Sequence, residues 1–500
     1  MYMPKVDLAE SKNYKWWAFA AIAIGSFVSV SDVGSAGVAL PRIADYFHTD
    51  LPTIQWVIVG YALTICVLLL PMGRLSDIVG RKRIYLIGFL IFPAGAFLAG
   101  IANHIVLLVM ARVLMGVGAA MTQGTAMAMQ VSVFPQKERG KAMGLLLTVV
   151  GTGGVAGPAM SGLIVGALGW RWVFITTGIM GIVAVLAAWL ILADGKDTHR
   201  NQKASFDWLG ALLSSLSLAA FLLTITMVPK VGWGNPGIIL GFIALSLFLA
   251  TFIWWERRSA SPMLDLALFK RRVFSFGVSA SFLAFVSMSC TRFLMPFYLQ
   301  VGLLYSPERA GLIMVPGALC LAAAGNISGR LSDRFGYRIF NMGGLITASV
   351  GIFILSRLTL DSPIGLALLG MVLQSTGLGI FNPPNSSSVL STVESSKYGV
   401  VSGFLNLVRN SANVAGTALV TVIVTAIMAS RGFPPSLAAV SENGGHEILS
   451  AFSSGMRVAY VIMGFLALVG VVFSFAKGNR GSNQPQEQSV KLNPVSRPTK

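Results

Sequence analysis

Apolar runs long enough to cross a bilayer recur along almost the whole chain, separated by short charged or Gly/Pro/Asn-rich gaps. Because about 20 apolar residues in a helix span the hydrocarbon core, each run predicts one membrane helix. Broken at the polar gaps, the 500 residues predict fourteen helices in groups of six, two and six. The predicted helices cover residues 16–40, 54–72, 83–102, 105–130, 139–166, 172–193, 206–228, 236–256, 273–301, 308–328, 339–358, 363–386, 398–428 and 455–476.

This grouping predicts an all-α polytopic membrane protein made of two six-helix bundles with two extra helices between them. We place the N-terminal bundle at residues 1–193, a linker with the two inserted helices at 194–262, and the C-terminal bundle at 263–476. Residues 477–500 are polar and rich in Pro, Gln and Ser, which predicts a disordered tail.

A polar, basic motif interrupts the apolar pattern after the second run and returns once, 256 positions later (329 − 73 and 333 − 77). Both copies read Gly-Arg-Leu-Ser-Asp, with a further glycine three positions after the aspartate. The residues that define the motif are Gly73, Asp77 and Gly80 in the first copy and Gly329, Asp333 and Gly336 in the second. Three glycines of the fifth run recur in the same way with an offset of 259: Gly140, Gly144 and Gly157 return as Gly399, Gly403 and Gly416. Repetition at half the chain length indicates a duplicated bundle.

Composition agrees with a membrane protein and excludes other classes. Only 11% of the residues are charged and the mean hydropathy is +0.74, whereas soluble domains carry about 25% charged residues. The net charge of +18 comes from Lys and Arg clusters between alternate apolar runs, which is typical of cytoplasmic loops. We therefore expect a multi-pass protein of the cell (inner or plasma) membrane, in contact with lipid, with both termini cytoplasmic and no nucleic-acid partner.

Cysteine and histidine usage indicates neither catalysis nor metal binding. Cys66, Cys290 and Cys320 lie inside apolar runs, with no second Cys or His at ligand spacing, so we interpret them as packing residues. The chain has four histidines, and one acid lies well inside a predicted helix. These residues do not offer a nucleophile paired with a general base. We expect a protein that is not an enzyme and that needs no cofactor and no metal.

The repeated loop has residue types that suit a breakable contact between helices. Gly73 lets two helix ends approach, and Gly80 permits a tight reversal. Asp77 can accept hydrogen bonds from a neighbouring helix N-terminus, and Arg81 can pair with that carboxylate. We interpret this loop as a conformational latch, with a second latch formed by Gly329, Asp333 and Gly336.

The loop resembles the signature between the second and third helices of the major facilitator superfamily of secondary transporters. The fourteen predicted helices, two of them between six-helix halves, resemble the fourteen-span drug:proton antiporters of that superfamily. The resemblance covers residues 16–476. It implies the major facilitator fold and a secondary active transporter of the multidrug efflux type, with the proton gradient as its energy source.

A second motif lies in the fifth run, where Gly151-Thr-Gly153-Gly-Val-Ala-Gly157-Pro158 leads to Gly162. Dense glycines in a membrane helix allow close helix packing, and the proline removes a backbone donor and bends the helix. The segment resembles the antiporter motif of the drug:proton families. We interpret Gly153, Gly157, Pro158 and Gly162 as a hinge; the alternative is a packing role alone.

Asp32 is the only acid well inside a predicted helix, where a charge costs about 2.5 to 3.5 kcal/mol at mid-membrane. It lies on a small, polar stripe at helical spacing, which predicts packing against protein or water. The stripe consists of Gly25, Ser29, Asp32, Ala36 and Ala39. Burial favours the neutral carboxyl group and a nearby cation the charged one, so Asp32 could carry a proton in each cycle. A fixed structural ion pair is the alternative.

Arg112 is the candidate partner of Asp32, with Gly116, Ala120 and Gly124 following at steps of four residues. Arg112-Val-Leu-Met-Gly116 resembles the fourth-helix signature of the antiporters, which implies a role for Arg112 in proton coupling. Further polar residues could line a central cavity or join helices: Gln123, Gln130, Arg292, Gln300, Asn382 and Asn385. We expect Arg409 near a membrane face, where its long side chain can reach water.

Taken together, these patterns predict a monomeric, proton-coupled exporter of small amphipathic organic compounds that works by alternating access. One alternative keeps the fold and changes the cargo to a lipid or an anionic metabolite. Another is a sensor or assembly subunit that does not transport.

Overall fold

The computed structural model describes residues 13–134, 139–192, 207–259, 265–393, 398–433 and 445–477. Within these ranges the chain forms α-helices and no strand. In chain order the helices are α1 (Tyr14–Tyr46), α2 (Leu51–Ile54), α3 (Trp56–Val79), α4 (Arg81–Gly100), α5 (Ile105–Val133), α6 (Arg139–Leu168), α7 (Arg171–Ile191), α8 (Trp208–Val231), α9 (Pro236–Glu256), α10 (Arg272–Phe297), α11 (Pro307–Phe335), α12 (Tyr337–Leu355), α13 (Ile364–Leu390), α14 (Tyr398–Ser430) and α15 (His446–Ala476).

Thirteen helices in the described ranges are long and apolar enough to cross a membrane. The 30-residue α6 lies between the fourth and fifth of them, so the long helices follow the order that the hydrophobic pattern predicts. The short α2 begins at the Asp50 side chain, which accepts a hydrogen bond from the Thr53 amide, and it leads directly into α3. A turn of π-helix, Tyr298–Gly302, extends α10.

The duplication in the sequence reappears in the packing. A Cβ atom on Gly88 of α4 would lie 2.8 Å from the Gly118 oxygen of α5, and one on Gly344 of α12 would lie 2.6 Å from the Gly377 oxygen of α13. These pairs are related by the two repeat offsets, 256 (344 − 88) and 259 (377 − 118). Both halves therefore use one close antiparallel contact, in which glycines bring the backbones together.

The sharp reversals after the repeated loops need glycine. Gly80, between α3 and α4, has a φ of 112°, and Gly336, between α11 and α12, has a φ of 82°. Residues with a Cβ rarely adopt these values. One turn earlier, Ser76 donates to the Gly73 oxygen in the first copy and Ser332 to the Gly329 oxygen in the second.

The long helices alternate in direction, so Tyr14 and Ala476 lie on one side of the bundle, here called the terminal face. On the other side, the distal face, hydrogen bonds join the two halves. Gln300 donates to the Val38 oxygen at 2.8 Å, and Thr421 donates to the Gln55 side chain at 2.9 Å. Between the halves, α8 packs on α3 and α14, and α9 packs on α8.

Candidate functional site

The structure brings Asp32 and Arg112 together in the N-terminal half. Their helices, α1 and α5, place the Arg112 Nη1 atom 2.6 Å from the Asp32 Oδ2 atom. Both side chains are almost completely buried, with 1% and 0% of their surface exposed. A buried ion pair lets two charges exist inside the bundle that would be costly separately.

Neighbouring groups hold the Arg112 guanidinium in place. Its Nε donates to the Val57 oxygen at 2.9 Å, and its centre lies 4.3 Å from the Tyr61 ring and 5.7 Å from the Phe174 ring. The second carboxylate oxygen of Asp32, Oδ1, is buried and has no hydrogen-bond partner within the described part of the chain. One oxygen is thus committed to Arg112, and the other is left without a donor among the described residues.

The position equivalent to Arg112 carries no charge in the second half. The 259-residue offset places Met371 at the position of Arg112 in the second half. Met371 is 4% exposed and belongs to the apolar core. The two halves therefore pack alike but differ in the residue at this position, which is charged in the first half and apolar in the second. A charged residue here is not needed for the repeated fold.

The small residues of α6 pack closely against α1 beside the ion pair. Ser31 donates to the Gly153 oxygen at 3.1 Å, Ser35 donates to the Gly157 oxygen at 3.0 Å, and Ser161 donates back to the Ser35 oxygen at 2.7 Å. A Cβ on Gly157 would lie 2.5 Å from the Ser31 oxygen, so this contact requires glycine. Ser31, next to Asp32 in sequence, is thereby tied to α6.

The same motif also contacts the C-terminal half. A Cβ on Gly311 of α11 would lie 2.6 Å from the Pro158 oxygen, and one on Gly162 would lie 2.6 Å from the Pro307 oxygen. All four predicted hinge residues thus face other helices closely: Gly153 and Gly157 lie on α1 and Gly162 on α11, while Pro158 has its ring on α1 and its backbone oxygen on α11. Helix α6 connects the ion-pair region to the other half.

The polar residues predicted to line a cavity or join helices differ in their burial and in their hydrogen-bond partners. Gln300 joins the halves at the distal face, as described above, and Gln123 accepts a hydrogen bond from Asn406 of the other half at 3.0 Å. Asn382 is half-buried and lies within reach of a serine on its own helix. The side chain of Gln130 lies outside the described residues, as do those of Asp77 and Asp333 in the two predicted latches.

Asn385 joins helices, which is one of the two roles expected for it. Its amide is completely buried inside the C-terminal half and donates to the Gly277 oxygen at 3.0 Å and to Ser281 at 3.2 Å. Its oxygen accepts from Lys477 at 2.8 Å. The side chain therefore joins three helices and is not a cavity group. Lys477 itself is 3% exposed at the end of α15, whereas residues 478–500 of the predicted tail lie outside the described ranges.

Arg409 lies eleven positions after the start of α14. It is half-buried inside a helix that could cross the membrane, and its Nη2 donates to Asn406 at 2.5 Å. The hydrogen bond between Asn406 and Gln123 places this group at the boundary of the two halves. Arg292 of α10 is half-buried as well, and its backbone oxygen lies 3.8 Å from where a Cβ would stand on Gly37 of α1.

Sequence reasoning missed Gln55, which is completely buried at the start of α3. Its amide nitrogen donates to the Pro52 oxygen at 3.1 Å and to the Thr226 oxygen at 3.4 Å, and its oxygen accepts from Thr421. It thereby joins α3, α8 and α14. A glutamine at the beginning of an apolar run resembles an ordinary helix end, and no local signal marks this long-range role.

Comparison with known proteins identifies the family of this chain. The family profile described as Major Facilitator Superfamily matches residues 22–417. The riboflavin transporter RibZ of Clostridioides difficile is 34% identical over 81% of this chain and 87% of its own length. The multidrug resistance protein Stp of Mycobacterium tuberculosis is 29% identical over 81% of this chain and 75% of its own length.

Solved structures agree on the fold. A bacterial homologue of the human lysosomal transporter Spinster, in an inward-facing and occupied conformation, superposes with a TM-score of 0.68. The match covers 93% of this chain and 97% of that one, at 19% sequence identity. At this identity the likeness concerns the fold alone.

Proposed function

This chain belongs to the major facilitator superfamily of transporters, and on that premise we propose that it exports amphipathic organic compounds in exchange for protons by alternating access. The observation that carries the proposal is the buried ion pair between Asp32 and Arg112. Intramembrane acids are costly, and in transporters they mark ion and proton pathways. The proton gradient would supply the energy: one charge crossing 100 mV gains about 2.3 kcal/mol.

The geometry suits reversible protonation of Asp32. Because Oδ2 is held by Arg112 and Oδ1 has no partner in the described chain, a proton can bind Oδ1 without first displacing the guanidinium. Protonation removes the negative charge and weakens the ion pair. Arg112 keeps its hydrogen bond to Val57 and its contact with the Tyr61 ring, so it stays in place.

The path from this ion pair to a conformational change runs through α6. Ser31 and Ser35 of α1 bind the α6 backbone, and α6 in turn packs on α11 of the other half. A shift of α1 caused by weakening the ion pair would move the α6 and α11 contact. Opening the distal face then requires breaking the hydrogen bonds that Gln55 and Gln300 make between the halves. Such rocking of rigid halves is the usual motion of these transporters.

Several relatives support export of amphipathic compounds. The names of similar proteins include a multidrug resistance protein, as above, and a tetracenomycin C resistance and export protein of Streptomyces glaucescens. The riboflavin transporter RibZ widens the range of compounds for which relatives are named. We infer a substrate that combines an apolar body with polar groups.

Proteoliposomes test the proposal. Purified protein is reconstituted with a pH-sensitive dye inside, and an amphipathic substrate gradient is imposed in place of a proton gradient. We expect the substrate gradient to drive protons in the opposite direction, and Asp32→Asn to abolish the signal. The matched control is Asp45→Asn, which changes an exposed acid of the same helix. Substrate movement with no proton movement in the unaltered protein would contradict the proposal.

A further inference from the structure

Two arginines of the C-terminal half lie inside the bundle without an acidic partner. Arg292 on α10 and Arg409 on α14 are half-buried, within helices that could cross the membrane. Phe285 of α10, two turns before Arg292, lies 5.9 Å from the Arg409 guanidinium, so both arginines belong to the contact between α10 and α14. Among the residues that the structure describes, neither arginine forms an ion pair, and Arg292 makes no side-chain hydrogen bond. Like charges held together in this way are unfavourable until an anion joins them.

Both arginines lie on helices that reach the boundary between the halves, where a transported molecule must pass. Arg409 is linked through Asn406 to Gln123 of the N-terminal half. Arg292 lies next to Gly37 of α1. The two helices that carry them pack on each other, with Gly416 of α14 against α10.

The buried acids of the described chain cannot neutralise this pair. Asp32 is committed to Arg112, and Glu256 lies at the end of α9, which packs on α8 at the edge of the bundle. Helices α10 and α14 contain no acid, so the contact between them has Arg292 and Arg409 but no negative charge from these two helices. Arginine also suits an acidic ligand better than lysine does, because its planar group offers two parallel donors to a carboxylate.

We propose that Arg292 and Arg409 bind the acidic group of an amphipathic organic anion, so that the transported compounds carry one carboxylate or a similar group on an apolar body. The Phe285 ring, 5.9 Å from the Arg409 guanidinium, supplies apolar surface beside the charges. The inference rests on the proposed function, since it names the substrate class for the same central path.

A pair of fluorescent probes that differ only in charge tests the proposal. Dansylglycine carries a carboxylate at neutral pH, and dansylglycinamide is its neutral amide. Binding of each to the purified full-length protein in lipid nanodiscs is followed by energy transfer from tryptophan, with empty nanodiscs as the blank. We expect dansylglycine to bind about tenfold more tightly than the amide, which corresponds to one charge-assisted contact.

Variants assign the preference to the two arginines. Arg292→Gln and Arg409→Gln should each reduce the preference for the carboxylate severalfold, and the double variant should remove it. Arg292→Lys and Arg409→Lys retain the charge and should keep part of it, which also covers the case in which a glutamine variant does not fold. Arg258→Gln changes an exposed arginine and should leave the preference intact.

Two results would overturn the anion site: equal affinity for the two probes, or a preference that survives in the double glutamine variant. The outcome is independent of proton coupling, because Asp32 pairs with Arg112 and not with these arginines. Asp32→Asn should therefore keep the preference for dansylglycine while losing proton exchange. Loss of proton coupling in the unaltered protein, with the probe preference retained, would contradict the proposed function and leave the anion site standing.

Discussion

Removing one charge of the buried ion pair, either Asp32 or Arg112, should lower the free energy of unfolding. Removing both charges should recover much of that free energy. Arg112→Gln leaves the Asp32 carboxylate buried without its cation, and Asp32→Asn leaves a guanidinium 2.6 Å from a group that can no longer balance it. Removal of one partner from a buried pair costs about 3 to 5 kcal/mol, whereas replacing both is often close to neutral. The double variant should therefore be more stable than either single variant.

The two single variants should differ in their pH dependence. A carboxylate left alone can take up a proton and become neutral, so the cost of Arg112→Gln should shrink as the pH falls. The Asp32→Asn variant retains only the guanidinium, which does not lose its proton, so the stability of this variant should not depend on pH through this site. Arg112 keeps its bond to the Val57 oxygen and its contact with Tyr61, which offsets part of the cost of Asp32→Asn.

Unfolding in mixed micelles by increasing SDS, followed by the fluorescence of the ten tryptophans, measures these free energies. Asp45→Asn, at an exposed site of the same helix, controls for the loss of one acid. If the double variant loses as much free energy of unfolding as the two single variants together, the interaction energy between Asp32 and Arg112 is zero. That result would refute the reasoning from the geometry of the pair.

Two further predictions concern packing and pH. Gly157→Val places a side chain against the α1 backbone and should abolish transport, whereas Gly154→Ala, at a position with open space, should retain it in the same proteoliposome assay; equal activities would contradict the packing role. Burial lowers the pKa of Lys477 from 10.5 to about 7. The unfolded chain then binds more protons between these values, so stability should rise with pH by about 1.4 kcal/mol per unit from about 7 upward. The rise should be absent in Lys477→Met, and an equal rise there would contradict this assignment.

The sequence predicts the helices of this protein well because their signal is local. Long apolar runs need a lipid setting wherever they lie, and Gly80 and Gly336 mark the reversals because only glycine suits their backbone. The pairing of Asp32 with Arg112 could also be anticipated, since two costly charges inside one half favour contact.

Contacts between the halves could not be predicted in this way. Gln55 and Asn406 look like ordinary polar residues of apolar helices, and their partners are hundreds of positions away in the sequence. For Asn385 the sequence leaves both a cavity role and a helix contact open, and only its partners Ser281 and Lys477 show that it joins helices. Such roles depend on how whole bundles pack, which hydrophobic periodicity does not encode.

Proton release from the purified protein in detergent tests the central claim most directly. A panel of lipophilic cations, neutral amphiphiles and organic anions is added, and the pH of a weakly buffered solution is followed. The account predicts that at least one class releases protons from the unaltered protein and from Asp45→Asn, and that Asp32→Asn releases none. Release that persists in Asp32→Asn, or no release with any class of compound, would contradict the exchange of substrate for a proton at the Asp32 and Arg112 pair.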